Sequence, residues 1–203
     1  RYYTPTGRGI QKPYHRGDSD EYNLDFINRF NHGEMIHADS IQFPDSLKYE
    51  TLINKRTVYG GGGIMPDLFV PIDTTISTTL HRQLIAKGII NRIAIQEVDN
   101  NRAQLLEQYK DADEFKKDFS ISSELINKLE KAAKEEKIEW SGEDFDNSHE
   151  LILTQIKALI ARDLFDSSAF YKIINDKDNI FLKGLEVINS DALYDKLLKN
   201  NTH

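Results

Sequence analysis

The 203-residue sequence predicts an α+β chain that is mainly α: a small β-and-turn part followed by a helical bundle. Three observations carry that prediction. All five prolines precede Ile72. Beyond Pro71 only Gly88, Gly142 and Gly184 remain of the eleven glycines. From Thr74 onward, apolar residues recur at three- and four-residue spacing, which is the helical period. The breakers and the period change together, so two domains are expected, 1–75 and 76–203.

In the first part, short β-prone pieces stand between turn signals. Arg1-Tyr2-Tyr3-Thr4 is the first, closed by Pro5 and Gly7. Leu24, Phe26, Ile27 and Phe30 then fall at helical spacing, and Gly33 supplies a C-terminal stop. Leu47–Thr51 and Arg56–Tyr59 flank Asn54-Lys55, which predicts a hairpin. Asp67–Val70 reads as a further strand, with Pro66 and Pro71 marking its ends because neither can donate to a ladder.

The second part reads as successive helices. Leu80, Leu84 and Ile85 share a face, and Gly88 ends that segment. A second helix carries Ile89, Ile93, Ala94 and Leu105. Ser122 or Ser123 caps a third, with Leu125, Leu129, Ala132 and Ala133 inside and Glu130/Lys134 as an i,i+4 pair on its wet side. The strongest stripe runs from Phe145 to Phe165 through Ile152, Ile156, Leu159, Ile160 and Leu164. Phe170-Ile173-Ile174 follows. After the polar stretch Asn175–Asn179 come Phe181-Leu185-Ile188, then Leu193-Leu197-Leu198. Phe26, Phe30, Phe165, Phe170 and Phe181 all occupy apolar helical positions, so core is their expected place.

Composition narrows the function. A formal charge of −7 argues against a nucleic-acid partner, which calls for a basic face. With no Cys, thiolate metal sites, disulfides and cysteine nucleophiles are excluded. No apolar run reaches the ~18–20 residues of a membrane span. No leader-like segment opens the chain, and its start at Arg1 reads as the middle of a longer protein.

A search for catalytic constellations ends without one. No Ser is followed by Lys at i+3, and there is no G-x-S-x-G elbow. Ser122-Ser123 and Ser167-Ser168 stand where helix caps are expected. His32, Glu34 and His37 in "HGEMIH" miss the H-E-x-x-H spacing that sets two imidazoles one helical turn apart, so a solvated loop is expected. His149 reads as a helix-flank residue. The run Gly60–Gly63 is not followed by a helix, as a phosphate loop requires, so it predicts positive φ or close backbone approach. The carboxylates Asp111, Asp113, Glu114, Glu135, Glu136, Glu143, Asp144 and Asp146 fall at helix starts and on exposed faces. No catalytic, cofactor-binding or metal-binding residue is assigned.

Two segments nevertheless resemble a known family. "RYYTPTGRGIQ" (Arg1 to Gln11) and "GGGIMPDLFVP" (Gly61 to Pro71) are similar to paired motifs of the carboxyl-terminal processing, or tail-specific, proteases. Gly63, Ile64, Pro66 and Asp67 match the second motif position by position. Thr6 stands where the family usually has Ser. The spacing also departs, because Lys12 to Gly60 intervene where many members need only a few residues. That longer form and the helical tail resemble members from Bacteroidetes-like bacteria.

The resemblance implies a serine endopeptidase of the Ser–Lys dyad type, periplasmic or membrane-associated, acting near the C-termini of proteins. In it a neutral Lys takes the serine proton and backbone N–H groups hold the oxyanion. Both dyad residues, and the PDZ domain that grips the substrate, would precede Arg1. Residues 1–75 would then be the end of the protease core with a helix-and-hairpin insertion, and 76–203 a C-terminal extension with a structural, regulatory or oligomerisation role. The chain alone is expected to be inactive. Its partners would be protein substrates held by the upstream domains and, through the helices, further copies of itself. The alternative is a non-enzymatic helical interaction module on a small β platform.

Overall fold

The computed structural model describes residues 2–12, 17 and 19–199. The architecture is α+β and mainly α: helices form a bundle, and a two-stranded sheet lies in the N-terminal part. The chain divides into two compact units, Arg1–Ile72 with Lys183–His203, and Asp73–Leu182. The expectation from composition divides the chain once, after residue 75. The contacts divide it between Ile72 and Asp73 and group Lys183–His203 with the first unit.

The first unit opens on a tight reversal. Thr4 N–H donates to the Arg8 carbonyl and Gly7 N–H to the Thr4 carbonyl, both at 2.9 Å. Gly7 takes φ +81°, a value glycine adopts at no steric cost. The strand expected at 1–4 is thereby reduced to a single antiparallel bridge, Tyr3 to Gly9. Pro5 and Gly7 turn the chain back too soon for a ladder to form. Arg1 and Pro13 lie outside the described residues.

Helix α1 (Ser19–Asn31) stops as expected at Gly33, where φ is +79°. Glu34 N–H donates to the Arg29 carbonyl and Gly33 N–H to the Phe30 carbonyl, which is the Schellman arrangement. Its apolar residues are not core, however. Leu24, Ile27 and Phe30 are all exposed, Phe30 by 42%, and the side chain of Phe26 lies outside those described. Short 3₁₀ turns at Ala38–Ser40 and Asp45–Leu47 lead into the hairpin.

The hairpin forms where the sequence predicts it. Strand β1 (Lys48–Glu50) pairs antiparallel with β2 (Thr57–Tyr59), Tyr49 opposite Val58. Arg56 N–H donates to Thr51 Oγ1 across the loop mouth, and Lys55 takes φ +51°. The strand expected at Asp67–Val70 is absent: these residues are bend and coil. Its four residues keep their backbone donors, but no described strand lies beside the segment to pair with them.

The second unit is an α-bundle. Its helices are α2 (Thr79–Ala86), α3 (Ile89–Gln108), α4 (Ala112–Asp118), α5 (Ser123–Glu135), α6 (Gly142–Leu164) and α7 (Ser167–Ile174). Helix α6 is the central post, packed against α2, α3, α4 and α7, while α5 packs on α3. The core stripe matches the sequence pattern: Ile152, Ile156 and Ile160 of α6 meet Leu80 and Leu84 of α2, Ile93 and Val98 of α3, and Leu125 and Leu129 of α5 in one cluster. Side-chain oxygens cap the helix starts: Thr78 for α2, Asp111 for α4, Ser122 for α5, Ser141 for α6 and Asp166 for α7.

Two sequence expectations are corrected here, and one helix the sequence did not predict is added. Asp166, not Ser167 or Ser168, caps α7, because a carboxylate one position earlier reaches the Ala169 N–H. Ile85 is 50% exposed, so it does not share the buried face of Leu80 and Leu84. Helix α4 forms although no period announces it; one residue, Phe115, anchors its seven-residue length in the core.

The chain continues through α8 (Asn179–Ile188) and α9 (Asp191–Lys199). No residue of α8 is buried. Phe181 is 45% exposed, which overturns its expected core placement. Phe165 and Phe170 lie partly buried against the bundle core.

Candidate functional site

The two sequence segments that carry the family resemblance meet in the first unit. Gly61 N–H donates to the Gly9 carbonyl at 2.8 Å, and Gly63 N–H to the Ile10 carbonyl at 2.9 Å. Gly60 N–H reaches the Leu47 carbonyl, so the glycine run also rests on the hairpin. The glycines are required there. A Cβ on Gly60 would stand 2.9 Å from the Gly9 carbonyl oxygen. One on Gly61, at φ +78°, would stand 2.8 Å from Leu47 Cδ1. This is the close backbone approach that the run predicts.

Charged side chains brace the junction. Arg29 of α1 holds Glu34 through Nε at 2.7 Å and donates from Nη1 to the Gly62 carbonyl at 3.1 Å. Arg56, just before β2, ion-pairs with Asp67 of the second segment. Lys12 meets Asp25 at 2.6 Å. A cleft of about 500 Å³ lies here, bordered by Ile10, Gln11, Lys12, Asp25, Arg29 and Gly63 among others. Arg29 and Arg56 were not among the candidate residues. No local pattern singles them out: Arg29 serves the nearby Glu34 and a backbone carbonyl 33 residues away, and Arg56 an acid 11 residues away.

The second unit holds a buried polar layer where α2 meets α6. Thr78 Oγ1 donates to Ser148 Oγ at 3.0 Å, and Ser148 Oγ donates to the Asp144 carbonyl at 2.6 Å. The Asp144 carboxylate accepts from the Leu80 N–H at 3.0 Å, satisfying one of the free donors at the α2 N-terminus. His81 is buried between Ser77 Oγ on Nδ1 (3.2 Å) and Gln155 Oε1 on Nε2 (3.0 Å). An amide oxygen only accepts, so Nε2 donates to Gln155, and in the neutral ring Nδ1 accepts from Ser77. Every group in this layer has a partner, and Ser148 is fully buried. The layer fastens two helices and presents no nucleophile to a substrate.

Lys157 of α6 donates to the carbonyls of Lys116 and Phe119, each at 2.6 Å, and so closes the C-terminal end of α4. Burial, then the neighbouring Lys116 charge, lower its pKa from the ordinary lysine value. A lysine with a lowered pKa has the character of a general base, but these protons point at backbone carbonyls.

The histidine and carboxylate candidates stay apart. Glu34 is taken by Arg29, while His32 and His37 are exposed. His149 makes an edge contact with Phe145, ring centroids 5.9 Å apart. Asp111 caps α4, accepting from the N–H groups of Asp113 and Glu114. Glu136 faces Lys87 and Arg92. Among the described residues, no group of three or more His, Cys, Asp or Glu is placed to hold a metal ion.

The fold and the junction thus define a helical protein with a small, open β part. Residues 80–166, from α2 to the cap of α7, match the model of a family of unknown function (DUF8443). That stretch is the packed body of the second unit. No curated protein and no solved structure matches the chain.

Proposed function

We propose that this chain is the C-terminal portion of a periplasmic tail-specific serine endopeptidase of the Ser–Lys dyad type. In this reading the first unit completes the protease core, and the helices serve as a structural, regulatory or oligomerisation element. One observation carries the reading. Segments Arg1–Gln11 and Gly61–Pro71, which hold the two family-like motifs, are about fifty residues apart in sequence, yet Gly61 and Gly63 hydrogen-bond to Gly9 and Ile10. Paired motifs with a common role are expected to meet in space. The two-stranded sheet of three-residue strands supports the same reading, since so small a sheet is short of partners.

The test compares residues 1–203 with the complete product of the same gene, each incubated with an unfolded protein substrate. The complete product is expected to cleave it, and to lose cleavage with a serine-reactive inhibitor or when its dyad lysine is replaced. Residues 1–203 alone are expected to be inert. Inhibitor-sensitive turnover by residues 1–203 would overturn the reading, as would a complete product with no Ser–Lys-dependent activity.

A second reading, a non-enzymatic helical interaction module, is favoured by α8, which leaves Phe181, Leu185 and Ile188 exposed along one side. An inactive complete product that self-associates, and loses association on Leu185→Asp, would select it.

A further inference from the structure

We propose that the trough between the Thr4–Arg8 turn and the open end of the β1–β2 hairpin binds a carboxylate carried on a small apolar group. Two adjoining clefts, of about 330 and 240 Å³, make up the trough. Arg8, Thr51, Arg56 and Val58 border both of them. The trough thus pairs two guanidinium groups with an apolar wall of Pro5 and Val58, the mixture that small-molecule sites use.

The two arginines are not fully engaged by the protein. Arg56 is only 15% exposed, its Nη2 is held by Asp67, and its buried Nε–H has no acceptor among the described residues. A buried donor left unpaired carries its full desolvation cost. Arg8 forms no ion pair with a described residue. Asp67 is already committed to Arg56, and Glu50 is the other acid among the described residues of the rim. A planar carboxylate matches the Arg8 guanidinium fork and takes two parallel hydrogen bonds from it, while Arg56, whose Nη2 is held by Asp67, adds positive charge beside it. This assignment rests on the trough alone and is independent of the protease reading.

The experiment titrates the full chain with N-acetyl-leucine, with its uncharged carboxamide and with inorganic phosphate, following the arginine Nε–H signals by NMR. The free acid is expected to shift the Arg8 and Arg56 signals and the amide to leave them unmoved. Arg8→Gln is expected to weaken the acid about ten- to a hundredfold, the usual scale of a hydrogen bond between charged groups. Glu50→Gln should tighten it, because the competing negative charge is gone, and the unchanged backbone spectrum of each variant shows that it is folded. Equal shifts from acid and amide would overturn the proposal, as would an Arg8→Gln variant of unaltered affinity. Saturation by phosphate without response to N-acetyl-leucine would overturn the carboxylate assignment, and no shift with any of the three would overturn the site.

Discussion

Gly61 shows how much a single residue can constrain. It sits at φ +78°, its N–H serves the Gly9 carbonyl, and a Cβ there would meet Leu47 at 2.8 Å. Gly61→Ala therefore adds backbone strain to a clash and should destabilise the first unit by about 1–3 kcal/mol. Chemical denaturation followed at the Phe43–Tyr59 stack reads that loss, and an unchanged midpoint would refute it. Two other residues make opposite predictions near pH 10. Burial, then Asp118 and Glu114, raise the Tyr109 pKa above 10.0. The folded state then keeps a proton that the unfolded state gives up, so stability present below pH 10 is lost as pH climbs through the folded value. Lys157 is lowered from 10.5, so between its folded value and 10.5 the unfolded state binds more protons and stability rises with pH. Tyr109→Phe should remove the alkaline fall and Lys157→Met the rise, as pH-dependent unfolding curves of each variant would show.

At the scale of elements, the bundle is held by both periodicity and clasps. Helix α6 buries Ile152, Ile156 and Ile160 in a 23-residue span, and its period is clear enough to be read directly from the sequence. Ile156→Ala should cost about 2–5 kcal/mol, the range for emptying a packed aliphatic site. The Asp144 clasp is less legible, since its partner is a backbone N–H 64 residues away. Asp144→Ala should cost about 1–3 kcal/mol by stranding the Leu80 N–H, measurable as a lowered midpoint and faster amide exchange at the start of α2. A loss confined to α6 would contradict the clasp. The strand expected at Asp67–Val70 failed for a related reason: a helix satisfies its own backbone, whereas a strand needs a neighbour. Helix α4 went unannounced because Phe115 alone anchors its seven residues, too few turns for a period to register.

At the scale of the molecule, the two units should differ in resistance to opening. The second has one continuous core of aliphatic and aromatic side chains. The first exposes Leu52 and Ile53 at the hairpin end, Ile53 by 91%. Limited trypsin treatment should therefore cut first after Lys55 and leave a fragment close to Asp73–Leu182 intact. Mass spectrometry would identify it, and first cuts within α3 or α6 would contradict this ranking. By itself, the sequence determined the helices of the bundle other than α4, the hairpin, the stop at Gly33 and the tight approach at the glycine run. These depend on local period, turn chemistry and steric freedom, all encoded within a few residues. Only the tertiary structure decided that Gly61 and Gly63 would meet Gly9 and Ile10, that Arg56 would find Asp67, and that the apolar faces of α1 and α8 would stay exposed. Such outcomes depend on which distant surfaces come together, and burial belongs to the partner as much as to the residue.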